Sequence, residues 1–404
     1  MIRLYPLFLI AIICSAQDFN QRGFFEITTD LYPRTASNDD AHIIGAILLR
    51  YEASYKYGAH WRFAAAADAR ADTHRQVDRS LALTWRDRTL TEPSFALARA
   101  SVLYTRGKLN VEAGKQPVRW GTVDLFNPMD RFSARDYMNP FQPDSLNPLA
   151  VRAIYGGSSN SVDLVYTPVP TPSRMPLLNQ RWTVLPEGVP IFDAGAYFPQ
   201  RGQYGARWSH SGSRDEFSLA FFDGYNNLPL IQAVLAPGSQ PLLEASRVYP
   251  RLRTYGGDLV FPTRWATFKS EAAWFSSVRK QSDDYALYIL ETEKQTGEWL
   301  LSGGYAGEVV TAHRSLLDFN PERGLARAFF GRADYAISSD RTLGAKTVLR
   351  QNGRASWTQL SYSQLFAQHF RVTAAYNWLR GSSEDFIGQF YRNSFVTVTL
   401  RYSF

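Results

Sequence analysis

The 404-residue sequence is poor in the residues on which metal, redox and disulfide proteins are built. It holds one cysteine and six histidines. A single cysteine excludes a disulfide scaffold and a cysteine-ligated zinc centre. The histidines, His42, His60, His74, His210, His313 and His369, never stand at i, i+4, so a helical metal pair is missing too. After the first sixteen residues no apolar run approaches the roughly 20 residues of a membrane-spanning helix. Mean hydropathy is −0.28, which excludes a bundle of such helices. Only 20% of residues are charged. The charges are spread out rather than blocked, which argues against a disordered tail or a nucleic-acid patch. No Gly-x-Ser-x-Gly elbow, phosphate-binding loop or dinucleotide fingerprint occurs.

The surplus lies in aromatics. Ten Trp, 22 Tyr and 26 Phe make up 14% of the chain. Two classes survive these counts: a large globular protein and a transmembrane β-barrel, which conceals its apolar content by alternation.

The ends of the chain favour the barrel. Arg3 precedes an apolar run from Leu4 to Ile13, and small residues precede Gln17. This pattern predicts a secretory signal over 1–16, cleaved after Ala16. A lipoprotein signal acylated at Cys14 is the alternative, with Ile13 where a small residue is expected. Cleavage after Ala16 lowers the net charge from +7 to +6 and removes the cysteine, which suits an oxidising compartment. At the other end Val396, Val398, Leu400, Tyr402 and Phe404 share one face, against Thr397, Thr399, Arg401 and Ser403. A period-two strand ending on Tyr-x-Phe resembles the assembly signal of Gram-negative outer-membrane barrels, with Tyr402 and Phe404 carrying it.

Alternating segments recur along the whole chain. Ile47, Leu49, Tyr51 and Ala53 oppose Arg50, Glu52 and Ser54, and Phe370, Val372, Ala374, Tyr376 and Trp378 oppose Arg371, Thr373 and Asn377. The expectation is an all-β fold. A transmembrane antiparallel β-barrel is predicted, with strands at 24–32, 43–57, 59–72, 94–106, 108–117, 149–157, 160–167, 200–211, 215–223, 250–262, 265–278, 284–293, 297–311, 326–338, 341–351, 354–366, 368–380 and 392–403. Eighteen is an even count, as single-chain bacterial barrels prefer. Sixteen is the alternative, because 79–89 and 284–293 are ambiguous. One barrel domain spans 17–404. Long connections, such as 73–93 and 118–148, fall on one side and tight turns on the other. That is the asymmetry of outer loops and periplasmic turns.

If the apolar faces meet lipid, the opposite faces line the interior. These carry thirteen cations and eleven anions. Candidate lumen-lining residues include Arg50, Glu52, Arg62, Asp68, Arg70, Arg99, Glu112, Lys269, Glu271, Arg332, Asp334 and Arg371. An eighteen-stranded barrel is too wide for side chains to fill, so a charged interior implies a channel that orients polar solutes. The cationic excess points to anionic or polyhydroxylated solutes. The most distinctive stretch, 112–131, runs from Glu112 through Gly114-Lys115-Gln116 and Trp120-Gly121 to Asn127-Pro128-Met129-Asp130-Arg131. The turn-rich third outer loop, 118–148, is expected to fold into the lumen. It offers Arg119, Asp130, Arg131, Arg135 and Asp136 as constriction and solute-contact residues.

Gly-Lys-Gln, Trp-Gly and Asn-Pro-x-Asp, with Tyr255-Gly256-Gly257-Asp258 and Lys269-Ser270-Glu271-Ala272, resemble an uncharacterised family of porin-like Gram-negative outer-membrane β-barrels. That family is related in pattern to alginate-export-type barrels. The matches cover about a fifth of the chain, at 112–136, 253–275 and the last strand. The resemblance implies a channel without naming a solute. Arg99 stands where an acidic residue is usual, which leaves the lumen pairing there open.

These readings predict an outer-membrane channel for passive diffusion of small polar or anionic solutes, without cofactor or metal. An export channel for a polysaccharide or other polymer is one alternative. A structural or adhesive barrel with a closed lumen is another. Catalysis is not expected, since Asp283, Asp284 and His313 read as solvated loop residues. Nor is a nucleic-acid partner. A plug-bearing active transporter is disfavoured because no plug-sized segment precedes Gly23. Expected partners are outer-membrane lipid, the barrel-assembly machinery and the solute; oligomeric state is left open.

Overall fold

The computed structural model describes residues 18–184, 191–236, 242–314 and 319–404. The expected leader at 1–16 lies outside them, as do parts of three long connections. Eighteen strands form the wall: β1 (Phe19–Leu31), β2 (Ile43–Tyr57), β3 (Trp61–Asp72), β4 (Phe95–Arg106), β5 (Leu109–Lys115), β6 (Leu149–Gly156), β7 (Asn160–Thr167), β8 (Gln203–Ser211), β9 (Glu216–Tyr225), β10 (Arg251–Pro262), β11 (Thr267–Ser277), β12 (Asp284–Thr296), β13 (Trp299–Ala312), β14 (Ala328–Ser338), β15 (Arg341–Arg350), β16 (Ala355–Phe366), β17 (Phe370–Gly381) and β18 (Phe395–Ser403). Each pairs antiparallel with the next, and β18 closes on β1 with Phe24 opposite Ser403 and Leu31 opposite Val396. The last residue extends this seam. Phe404 exchanges two backbone hydrogen bonds of 2.9 Å with Gly23, and its ring lies where a Cβ on residue 23 would stand, 2.6 Å away.

Even-to-odd connections are tight turns of two to four residues, and most odd-to-even connections are long. Three of the tight turns place a glycine at positive φ: Gly58, Gly107 and Gly297. Long loops therefore share one rim and short turns the other. Two long loops add a small sheet of their own, with Ile191–Tyr197 parallel to Leu242–Val248 and Leu230–Ala236 antiparallel to it. Sequence alternation had suggested no strands there.

The pleat sends alternate side chains to opposite faces. Ile47, Leu49 and Tyr51 are exposed on the outside, while Arg50 between them points inward and meets Asp68, its cross-strand partner on β3. Aromatics pair at the short-turn rim, Trp61 with Tyr104 and Trp299 with Tyr335, both with ring centroids under 5 Å apart. That is girdle placement.

The interior departs from a purely ionisable lining. A hydrophobic core sits inside the barrel, where Val118, Trp120, Phe126, Met129, Phe132 and Phe141 pack on inward-facing Phe222, Phe275, Leu287, Ile289, Trp357 and Phe395. Full burial of such side chains stabilises by about 1.5–3 kcal/mol each. Strands β9 to β18 are therefore apolar on both faces near their loop ends. β12 shows this directly: Tyr285, Leu287 and Ile289 are buried inside while Leu290 is exposed outside.

Candidate functional site

The loop 116–148 leaves β5 and turns into the lumen. Lumen-facing carboxylates hold it at several points. Asp163 on β7 accepts from the Trp120 indole Nε1 at 2.9 Å and from Arg152 at 2.7 Å. Glu271 on β11 accepts from the Thr122 and Met129 backbone N–H groups, at 3.1 and 2.8 Å, and from Asn127 Nδ2 at 3.5 Å. Glu291 on β12 accepts from the Asp124 backbone N–H at 2.9 Å. The chain clears Glu271 only because residue 121 is glycine. Its φ is +109°, and a Cβ there would stand 2.5 Å from a Glu271 oxygen.

Inside the loop, aromatic rings interlock. Trp120 meets Phe132 edge-on at 5.2 Å, Phe132 meets Phe222 at 5.1 Å, and Phe141 meets Trp357 at 5.1 Å. Neighbouring loops lock onto it. Arg174 pairs with Asp136, and Trp182 packs on Phe141 and Phe395. Asn38 donates to three backbone carbonyls of 178–183. The loop thus occupies the side of the lumen bounded by β7 to β18.

The opposite wall, β1 to β6, stays clear. A cavity of about 820 Å³ runs along it from Asn20 and Arg22 near the short-turn rim to Lys115 and Asp87 near the loop rim. Its lining holds eight Arg or Lys side chains against three Asp or Glu. Most of the cations are paired. Arg50 bonds Asp68 at 2.6 Å, Arg22 bonds Glu52 at 2.6 Å, and Arg99 bonds Glu112 at 2.8 Å. The last pair closes the question that Arg99 raised in the sequence. Arg62 and Arg119 are exposed to the cavity and have no ion pair among the described residues. At its outer end, loop 73–94 meets the wall through a buried Lys115–Asp87 pair and an Arg70–Glu92 pair of 3.4 Å. Burial raises the Glu92 carboxyl well above its ordinary range, with the nearby Asp136 adding to the effect and Arg70 opposing it.

The five constriction candidates separate on this geometry. Arg119 faces the large cavity, and Arg135 borders a side pocket of about 160 Å³. Asp130, Arg131 and Asp136 are buried in the loop body, so solute contact is not their place in this structure. Arg131 donates to both Glu322 oxygens at 2.9 and 3.1 Å and lies over the Phe275 ring. Asp130 sits 3.6 Å from Arg135, and burial pushes its carboxyl up to about 6. Asp136, also raised by burial, accepts from Arg174 and the Met138 backbone. These three charges brace the loop.

The lining candidates separate similarly. Arg50, Glu52, Arg62, Asp68, Arg70 and Arg99 border the large cavity, with Glu112 bonded to Arg99. Lys269 and Glu271 lie under the loop, where Lys269 reaches Glu293 at 2.8 Å. Arg332 and Asp334 face a separate pocket of about 260 Å³, and Arg371 is exposed near the short-turn rim, bonded to Ser363. Sequence reading missed Glu291, which lay in an ambiguous strand, and Asp163 as the Trp120 partner, for which no local signal exists.

No protein-family model and no curated protein matches the chain. Solved structures do. OccAB3 of Acinetobacter baumannii superposes with a TM-score of 0.56 at 9% identity, over 95% of this chain and 99% of its own. OccAB4 of the same organism does so at 0.54 and 10% identity, over 96% and 99%. A mutant of the Rhodopseudomonas blastica porin aligns over 96% and 100% at 10% identity, with a TM-score of 0.45. At such identities the Acinetobacter likeness shows the fold alone, a closed eighteen-stranded antiparallel barrel.

Proposed function

We propose that this chain is an outer-membrane, porin-like channel for passive diffusion of small polar solutes, with a preference for anions. One observation carries the reading: the clear side of the lumen is a cavity with eight cationic and three acidic side chains, in which Arg62 and Arg119 have no carboxylate partner among the described residues. Paired charges mostly cancel at a distance. Unpaired guanidinium groups in a narrow, low-dielectric passage attract anions and repel cations. The buried core beneath the loop fills much of the other side of the lumen and leaves the smaller pocket beside Arg332 and Asp334 there, so the wider path runs along the basic wall. Diffusion along it needs no cofactor and no catalytic step. Export through a cleaved leader and insertion by the barrel-assembly machinery complete the reading, and the Tyr402–Phe404 end supports the latter.

Planar-bilayer recording tests it. Purified protein is expected to give discrete conductance steps and an anion-selective reversal potential in a KCl gradient. Arg62→Glu with Arg119→Glu is expected to move that potential toward cation selectivity. No conductance steps would sink the channel reading. An unchanged potential in the double variant would sink the path along β1 to β6. The closed-barrel alternative draws on the packed loops and the Lys115–Asp87 closure, and it forecasts the first of these failures. Polymer export rests on the sequence resemblance to alginate-export-type barrels alone.

A further inference from the structure

A second large concavity lies outside the channel. It opens over the four-residue connection 351–354 between β15 and β16, whose neighbouring connections on the same rim, 313–327 and 382–394, are longer. It measures about 1040 Å³ and spans the loop-rim ends of β14 to β18 and the start of the β1–β2 connection. Its floor is apolar and faces outward: Phe329, Leu349, Tyr376 and Trp378 are all exposed large hydrophobics on the lipid-facing side. Its upper lining holds Arg34, Arg350, Arg354, Arg380 and Arg392, and among the described residues no Asp or Glu lines it.

Of these five arginines one is consumed by ion pairing: Arg350 bonds Asp385 at 2.9 Å. Arg354 has only a 3.9 Å contact with Glu384, both side chains being mostly exposed. Arg34, Arg380 and Arg392 have no ion pair among the described residues. Arg380 lies over the Trp378 ring at 5.2 Å and Arg392 over Tyr391 at 5.7 Å. Stacking holds a guanidinium in place and keeps its in-plane N–H groups at the edge; Arg392 spends its Nε–H on the Tyr391 hydroxyl at 3.1 Å, which leaves its terminal N–H groups for a ligand.

We propose that this groove seats a phosphorylated lipid headgroup of the outer leaflet. The inference rests on the outer-membrane placement but not on the channel. Arg34, Arg380 and Arg392, with Arg354 opposed only by the loose 3.9 Å contact to Glu384, leave the groove a net cationic anion site. Planar forks of N–H donors match phosphate oxygens two at a time. The exposed aromatic and aliphatic floor directly below supplies a surface for acyl chains. A soluble anion would use the arginines and leave the floor wet, whereas an amphiphile uses both. Charge above apolar surface at the rim of a membrane barrel fits a lipid with its phosphates at headgroup level.

The test uses the full barrel in detergent with bis-phosphorylated lipid A as the probe, binding being followed by native mass spectrometry. The unmodified protein is expected to retain the lipid. Arg354→Ala, Arg380→Ala and Arg392→Ala combined are expected to weaken retention at least tenfold. A control triple at the opposite rim, Arg106→Ala, Arg264→Ala and Arg341→Ala, removes the same charge and is expected to bind as the parent does. Equal binding by parent and groove triple would overturn the proposal. So would equal binding of dephosphorylated lipid A, or displacement of the lipid by inorganic pyrophosphate at matched concentration, which would indicate a free-anion site. Bilayer conductance of both triples, measured without the lipid, is expected to match the parent. A loss of conductance steps in the parent would count against the channel and leave the lipid result standing.

Discussion

Glu271→Ala isolates the clamp that holds the loop in the lumen. Glu271 is 1% exposed and accepts from two backbone N–H groups and one side-chain amide of the loop. Removing the carboxylate leaves the Thr122 and Met129 donors without their acceptor. Leaving a buried donor unsatisfied costs about 1–3 kcal/mol, so the two backbone donors sum to roughly 2–6 kcal/mol if nothing replaces the carboxyl. Water entering the vacated space recovers part of this. A residual cost of about 3 kcal/mol corresponds to a hundredfold rise in the population with 121–129 detached. The apolar anchors Trp120 and Phe132 are untouched, so the loop is expected to fray between them rather than leave. Single-channel recording should show larger conductance or added open-channel noise. Limited trypsin digestion should cut faster at Arg119 and Arg131. Glu271→Gln keeps one acceptor oxygen and is expected to fall between parent and Glu271→Ala. Conductance, noise and cleavage all equal to the parent in Glu271→Ala would refute the clamp, since the loop would then be held by its aromatic packing alone.

Gly121→Ala is expected to perturb the same contact from the other side. A Cβ at φ +109° and 2.5 Å from Glu271 costs on the order of 1–3 kcal/mol of strain and should lower the temperature at which the barrel loses its heat-modifiable migration. The pH dependence follows from Asp130. Its folded value of about 6 lies above the ordinary 3.8, so the loop binds a proton that the released loop gives up. Its contribution is fully present below about pH 3.8 and is lost as pH rises through 6. Protection factors across 127–135, that is, exchange rates corrected for the intrinsic base catalysis, should therefore be higher at pH 5 than at pH 7.5, and Asp130→Asn should reduce the difference. Phe404→Ala removes the ring that covers Gly23 at the closing seam, and assembled barrel in isolated outer membranes is expected to fall while total expression does not.

The strands were legible because a pleated backbone sends neighbours to opposite faces whatever the rest of the chain does. A lipid face outside and a polar face inside then leave a period of two in residues such as Ile47 to Ala53. All eighteen predicted strands have counterparts in the wall, differing mainly at their ends, and β1 begins earlier than its alternation suggested. β12 was ambiguous for a physical reason. Its inner face, Tyr285, Leu287 and Ile289, is as apolar as its outer face, because it is covered by a loop rather than by water.

The sequence by itself determined the barrel, its alternation, the seam at its last residue and the loop with the densest turn signals. Those are properties of neighbours along the chain. Only the tertiary structure decided which charges are spent and which are free. Arg131 is neutralised by Glu322, 191 positions away, and Met129 is held by Glu271, 142 positions away. Arg62 and Arg119 find no such partner among the described residues and face the cavity. A side chain's partner in a closed barrel depends on strand register and on where the loops settle. No local pattern records either, and that is why the lining could be read from alternation while its chemistry could not.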